Sequence, residues 1–509
     1  MNLSVDRRQR RTDSASGWRA VRGKSATGLE GGMSGLRDDA VAAVGRAVDR
    51  LGIIDADRFR STFDLAWPRV VTGFTIMSKQ TADLAMVGVA VGTAGTAGLA
   101  FALGYWSIVV LLGLGLAGGT VSLVSQNYGG DRTDRASLVV TQSVLLATLF
   151  AAPIMAAFAL VPSELIGVLG ADSASLRHGR VYLLLVTPAV LFELLNLIAS
   201  RTYTGVGDTF TEMVLRSGGA ALNVVLNAVF IFGLGMGVAG AALGTTLSTG
   251  VVLVGLGWGM VGRSYGGLRM QPSPVPITRS TLRVDAAVLR QLLEVSTPEI
   301  GRRLAQGLVV FPLLWVAASF GPVVVTALEI ARRVRALVNS INWGMSLASS
   351  SLVGQSLGAD DESEAGAYGT GIIRLAMVVY LLVAAAVLLF AAPIADIFVS
   401  DPAAVAATVP FVAVAAVSAV GLGLDGTASG ALVGAGDTRW PFVASIVGRY
   451  VFGLPAALVG LLTPLGVAGL YLALVFESFV PGVINYGLFR TGRWKAVSRR
   501  YRPNADPGD

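Results

Sequence analysis

From about residue 63 to residue 489 the sequence is a succession of apolar stretches, each twenty or more residues long, broken by short polar connectors. A helix rises about 1.5 Å per residue, so each stretch is long enough to cross the hydrocarbon of a bilayer. The stretches fall near 63–88, 97–123, 138–161, 176–203, 211–232 and 237–262, then 292–320, 323–350, 368–393, 403–431, 441–462 and 465–489. This predicts an all-α membrane protein with twelve transmembrane helices. The composition agrees: 14% of residues are charged, against about 25% in soluble domains. The 63 glycines suit close helix packing in lipid.

Two halves of the chain are alike. SLVSQNYGGD recurs as SLVGQSLGAD, with Gln126 and Gln355 229 residues apart. GVGDT recurs as GAGDT at the same offset, Asp208 to Asp437, and GVAGAA as GVAGLY, Gly237 to Gly466. Pro68 and Pro298 are 230 apart. One offset over most of two halves means duplication. Six spans per half is an even number, so both halves begin on the same side. The result is two parallel six-helix repeats around a central cavity.

The charges set topology. Arg132 and Arg135, Arg263 to Arg290, and the tail from Arg490 to Arg502 lie in connectors on one side, while the opposite connectors carry almost no Lys or Arg. The positive-inside rule then puts both termini in the cytoplasm of a cell (plasma) membrane protein. The net charge of +7 is thereby assigned to loops and tails and not to nucleic acid. Six segments are expected: a disordered basic tail (1–35), an amphipathic interfacial helix (36–60), an N-lobe (61–262), a cytoplasmic linker (263–291), a C-lobe (292–490) and a basic cytoplasmic tail (491–509).

Several chemistries are excluded. There is no cysteine, so there are no disulfides and no thiolate metal sites. The single histidine, His178, lies between Arg177 and Arg180 at a span end and reads as interfacial. No nucleophile–base constellation is present, so no enzyme, metal or cofactor is expected. GKS at 23–25 lacks the glycine a phosphate loop requires, and the two GxGxxG patterns fall inside a span and at a span junction.

The duplication provides an internal control, because the halves differ at polar positions. Asp83 maps to Pro312 or Leu313, Asn223 to Phe452, Asn227 to Ala456 and Thr245 to Leu474. Asn196 maps to Asp425. A carboxylate in hydrocarbon costs at least about 2.5 kcal/mol, so it faces a cavity or a partner. Asn223 and Asn227 are four apart and share a helix face. Asp83, Asn196, Asn223, Asn227 and Thr245 therefore form a candidate cation or proton site. Interhelical hydrogen bonding is the plainer use of the amides, and an ion pair with Lys79 is the rival use of Asp83. Pro68, fifteen residues before Asp83, is a candidate hinge.

In the second half, Asp425 and Arg449 each lie twelve residues from Asp437. A hairpin would bring them to one depth as a neutralising pair, with Glu477 nearby. Gln306, Glu329, Arg333, Asn339 and Asn342 are candidate cavity or substrate residues, with Arg332 and Arg335 beside them.

QTADLAMVG, LAGGTVSLVSQNYGGD, YTGVGDT, LNVVLNAVFIFG, GVAGAALGTT and the second-half copies together resemble the multidrug and toxic compound extrusion (MATE) transporters, in the DNA-damage-inducible F-like branch. The resemblance covers about 60–490. It implies proton- or sodium-coupled antiport of small amphipathic, often cationic compounds by alternating access. It puts the family's span-one aspartate on Asp83, its bending proline on Pro68, its span-five pair on Asn223 and Asn227, and its span-six threonine on Thr245. The chain departs from the family at Asn227, where an acid is usual, which leaves one formal negative charge at that site. A span-seven glutamate and a span-ten aspartate of one branch fall nearest Gln306 and Asp425. A monomer in the bilayer is expected. A flippase for lipid-linked precursors and a sensory or channel-like protein are the alternatives.

Overall fold

The computed structural model describes residues 31–169, 172–266, 270–398 and 402–501. The segment expected to be disordered lies almost wholly outside these residues, as do Asp401 and the end of the basic tail from Arg502.

The chain divides into two compact units at Arg60. In the first, the single helix expected over 36–60 is instead a helix Gly31–Arg50, a turn, and the start of a second helix at Ala56. Gly52 takes a left-handed φ of 66°, which favours glycine. The Asp55 carboxylate then accepts from the backbone N–H of Asp57 at 3.1 Å, starting the next helix. Arg60 pairs with Asp38 at 3.7 Å.

In the second unit each apolar stretch is a helix. Spans one to six are Ala56–Val91, Thr93–Gly129, Thr133–Leu160, Ser173–Gly205, Thr209–Gly233 and Gly237–Met260. Spans seven to twelve are Ala286–Ser319, Pro322–Gly358, Glu362–Leu389, Pro402–Gly434, Arg439–Leu462 and Ala468–Arg490. Ten are apolar enough to cross a membrane by composition alone. Spans one and eight, 36 and 37 residues long, are long enough but carry the charges the sequence places in them.

The duplication is visible in the backbone itself. Among the described residues, Asp131 and Asp360 are the non-glycine residues with positive φ, at 55° and 60°, and they are 229 apart. Gly92 and Gly321, Gly207 and Gly436, and Gly237 and Gly466 take positive φ at that same spacing. Short helices Pro162–Val168 and Ala391–Phe398 follow spans three and nine. A non-glycine residue in the left-handed region is uncommon, so its repetition at corresponding turns records common architecture.

The linker is shorter than expected and docked. Span seven starts at Ala286, capped by Asp285, and not near 292. The Gln142 side chain donates to the Arg283 carbonyl at 2.6 Å, and Thr141 bonds Thr281 at 3.2 Å. Val288, Leu292 and Val295 join the first-half core. The expected tail also holds structure, since Arg493–Arg499 is helical and Trp494 stacks on Phe489 at 5.2 Å.

Candidate functional site

Span one carries its carboxylate eight residues from its end at Val91, and span five carries an asparagine that meets it. Asp83 is 6% exposed. Its Oδ1 accepts from Asn227 Nδ2 at 2.7 Å, and its Oδ2 lies 3.4 Å from Lys79 Nζ, one helical turn away. Asn227 Nδ2 also reaches Asn223 Oδ1 at 3.3 Å. Asn223 in turn donates to Thr245 Oγ1 and Ser248 Oγ, each at 3.3 Å. The ion pair with Lys79 foreseen as the rival use of Asp83 is present on one oxygen, and the other oxygen faces an amide. Asn223 serves chiefly as a strut between spans five and six. The Asn227 Oδ1 is buried without a partner, against Gly244, where an added Cβ would come within 2.0 Å of it.

Asn196 is not in this cluster. Its Nδ2 donates to the Thr249 carbonyl at 3.0 Å, and it lines a neighbouring cavity of about 160 Å³ with Lys79, Glu193 and Arg216. Nor is Asp83 the lone buried acid of the first half. Glu193 pairs with Arg216 at 2.8 Å, and Glu212, 1% exposed, holds Arg69. Each of these acids has an arginine, so the buried charge is compensated.

A second cavity, of about 230 Å³, lies between the halves. Gln306, Asn339 and Asn342 line it as expected, and Asn342 donates to Asn339 at 3.1 Å. Glu329 and Arg333 do not line it: Glu329 pairs with Arg332 at 3.5 Å, and Arg333 is exposed. Asp425 and Arg449 both line the cavity but are not each other's partners. Asp425 accepts from Asn485 at 2.8 Å, whereas Arg449 lies 3.6 Å from Glu477, which also meets Arg335 at 3.3 Å. The π-helical stretch Val447–Gly453 carries Arg449 and re-aims it within span eleven.

Sequence reasoning missed most of this lining. Arg69, Arg201, Arg302, Arg303, Arg335 and Arg449 face the cavity together with three acids, Glu299, Asp425 and Glu477. Glu299 is held by Arg302 at 2.7 Å and Arg303 at 2.9 Å. The signal was present, because charged residues inside apolar stretches are functional candidates by default.

At one end of the cavity the halves close on each other. Gln126 donates to the Gly434 carbonyl and Gln355 to the Gly205 carbonyl, both at 2.9 Å. These are the glutamines of the repeated SLVxQ segments bonding to the ends of spans ten and four, so each half makes the same contact with the other. Gly129 and Gly358 permit the approach: an added Cβ would lie 2.1 Å from the Gln355 carbonyl oxygen and 2.0 Å from that of Gln126. Ser498 of the tail helix donates to Gln126 at 2.9 Å. Outside the spans, burial pushes the carboxyls of Asp208 and Asp437, in the repeated turns beside this seal, above the usual range.

Two six-helix halves around a polar cavity, sealed at one end and lined by buried charge, are the architecture of a membrane transporter. The MatE family model matches residues 68–229 and again 298–459, once in each half. The human multidrug and toxin extrusion protein 1 is 25% identical over 78% of this chain and 68% of its own length. The probable multidrug resistance protein NorM of Rhodopseudomonas palustris is 27% identical, over 86% of this chain and 92% of its own. A crystal structure of MATE in the straight conformation superposes with a TM-score of 0.79 at 22% identity, over 86% of this chain and 96% of that one. The chain belongs to the MatE family of multidrug efflux transporters.

Proposed function

We propose that this protein is a cation-coupled antiporter of the plasma membrane, exporting small amphipathic compounds as a monomer without a cofactor, with both termini cytoplasmic. The coupling ion, H⁺ or Na⁺, binds at Asp83 with Asn227, and Asn223 and Thr245 support the pair. The observation that carries this is the double engagement of Asp83, buried and bonded to Asn227 on one oxygen and to Lys79 on the other. An incoming cation on Asp83 competes with Lys79 for the same charge. Binding therefore changes the contacts of span one, and a ligand shifts a two-state equilibrium only through such a difference in affinity. The seal built by Gln126 and Gln355 supports an outward-open starting state, with the cytoplasmic side closed. Pro68 lets span one change shape, and rocking of the halves completes alternating access.

The test is counterflow of a fluorescent substrate in proteoliposomes, driven by a pH gradient alone and then by a Na⁺ gradient alone. Coupling requires that one of the two accelerate exchange well above the leak of empty vesicles; exchange indifferent to both gradients refutes it. One observation favours a second reading, a flippase for lipid-linked precursors. The arginine excess of the inter-lobe cavity suits an anionic headgroup.

A further inference from the structure

The arginines of the inter-lobe cavity are incompletely neutralised. Glu299 holds Arg302 and Arg303, Glu477 holds Arg335 and Arg449, and Glu212 holds Arg69 from behind the wall. Arg201 is different. It is 6% exposed, its Nη1 is buried without a hydrogen-bond partner, and it forms no ion pair among the described residues. A guanidinium cannot shed its proton, a charge held out of water is costly, and the Glu212 carboxylate that attracts Arg201 is already bonded to Arg69. Arg69 Nε and the Ser350 hydroxyl, which line the same space, also form no hydrogen bond. Among the unpartnered buried atoms of the lining, only Asn342 Oδ1 is purely an acceptor. The cavity thus has a surplus of donors and of positive charge.

The duplicated half shows that the scaffold does not require this. At the 229-residue offset Arg201 corresponds to Gly430, and at 230 Arg69 corresponds to Glu299. Apolar surface from Leu114, Val121 and Trp343 completes the lining.

We propose that this cavity takes an amphipathic anion, whose carboxylate or phosphate sits on Arg201 between the halves while its apolar body lies against Trp343. Planar guanidinium forks match both oxyanions. The proposal rests on the reading of the chain as an exporter but not on coupling at Asp83. It reverses the cationic preference that the family resemblance suggests.

Matched probes test it. Binding of dansylglycine, an anion, and dansylcadaverine, a cation, to the purified protein is measured by tryptophan-to-dansyl energy transfer with no ion gradient. The expected result is at least tenfold tighter binding of the anion. Arg201→Gln should lose at least tenfold of that affinity, and Arg201→Lys should recover part of it. A second arm presents dansyl-phosphatidylethanolamine in nanodiscs. Its binding marks a lipid-borne anion as the source, and binding of dansylglycine alone marks a soluble one. Tighter binding of the cation, no binding of either anion, or wild-type anion affinity in a well-folded Arg201→Gln protein would overturn the proposal. If that variant fails to fold, the wild-type preference decides alone. Because no gradient is present, failure here leaves gradient-driven exchange untouched, and failed coupling leaves the anion preference standing.

Discussion

At the scale of single residues, buried ionisable groups organise this protein, and several of them are paired across helices. Asp83 joins spans one and five through Asn227. Arg69 joins the same spans through Glu212, closer to the sealed end. Removing one member of such a pair leaves an unmatched charge in a low-dielectric interior and costs about 3–5 kcal/mol, whereas replacing both by apolar groups is often neutral. Glu212→Gln should therefore lower the melting temperature of the detergent-solubilised protein sharply, and Arg69→Met with Glu212→Leu should restore most of it. An unchanged melt in the single variant would show that the pair does not hold the spans together. Asp83 with Asn227 was legible in the sequence because the duplicated half supplies apolar residues at both positions. Arg201, Glu212 and Glu299 were overlooked because each sits near a span end or in a helix of modest hydropathy, where a charge resembles a boundary. The pairing of Arg449 with Glu477 in place of Asp425 depends on the π-helical turn in span eleven, which equal spacing from Asp437 does not reveal.

At the scale of elements, span one is a single helix running through Pro68 for 36 residues. An interior proline costs a helix about 3 kcal/mol relative to alanine, so a straight, static span has no use for it. The Thr72 hydroxyl donates to the Pro68 carbonyl at 2.9 Å, a local bond that favours bending. Pro68→Ala should raise thermal stability while slowing counterflow several-fold; counterflow at the wild-type rate would remove Pro68 from the mechanism. The helices themselves could be read from runs of apolar residues, although several extend past those runs into the polar connectors, as span two does to Gly129 and span eight to Gly358. The linker and tail could not, because their polarity reads as solvent exposure, whereas they dock through hydrogen bonds such as Gln142 to Arg283 and Ser498 to Gln126.

At the scale of the whole molecule, duplication supplies the seal. Motifs repeated at one offset meet as reciprocal contacts, each glutamine reaching the last turn of the other half's fourth span. The repeat was evident in the sequence, but its use was not, since a motif gives no sign of which surface it meets. Replacing both Gln126 and Gln355 by Ala removes the two bonds, each worth about 1 kcal/mol net, and should favour the inward-open state. The chain has no native cysteine, so a single cysteine at Ser350 reports on this: its labelling from the cytoplasmic side should rise several-fold in the double variant. Equal labelling would mean that the seal is held elsewhere.

The central claim is that an ion at Asp83 drives export, and the most direct measurement is gradient-driven counterflow by wild type and Asp83→Asn in the same proteoliposomes. The amide keeps the shape of Asp83 but carries no charge to hold a proton or Na⁺. The variant should insert, melt somewhat below the wild type because Lys79 loses its carboxylate, and show exchange that no longer responds to either gradient. Gradient-driven exchange at the wild-type rate in Asp83→Asn would contradict coupling at this site.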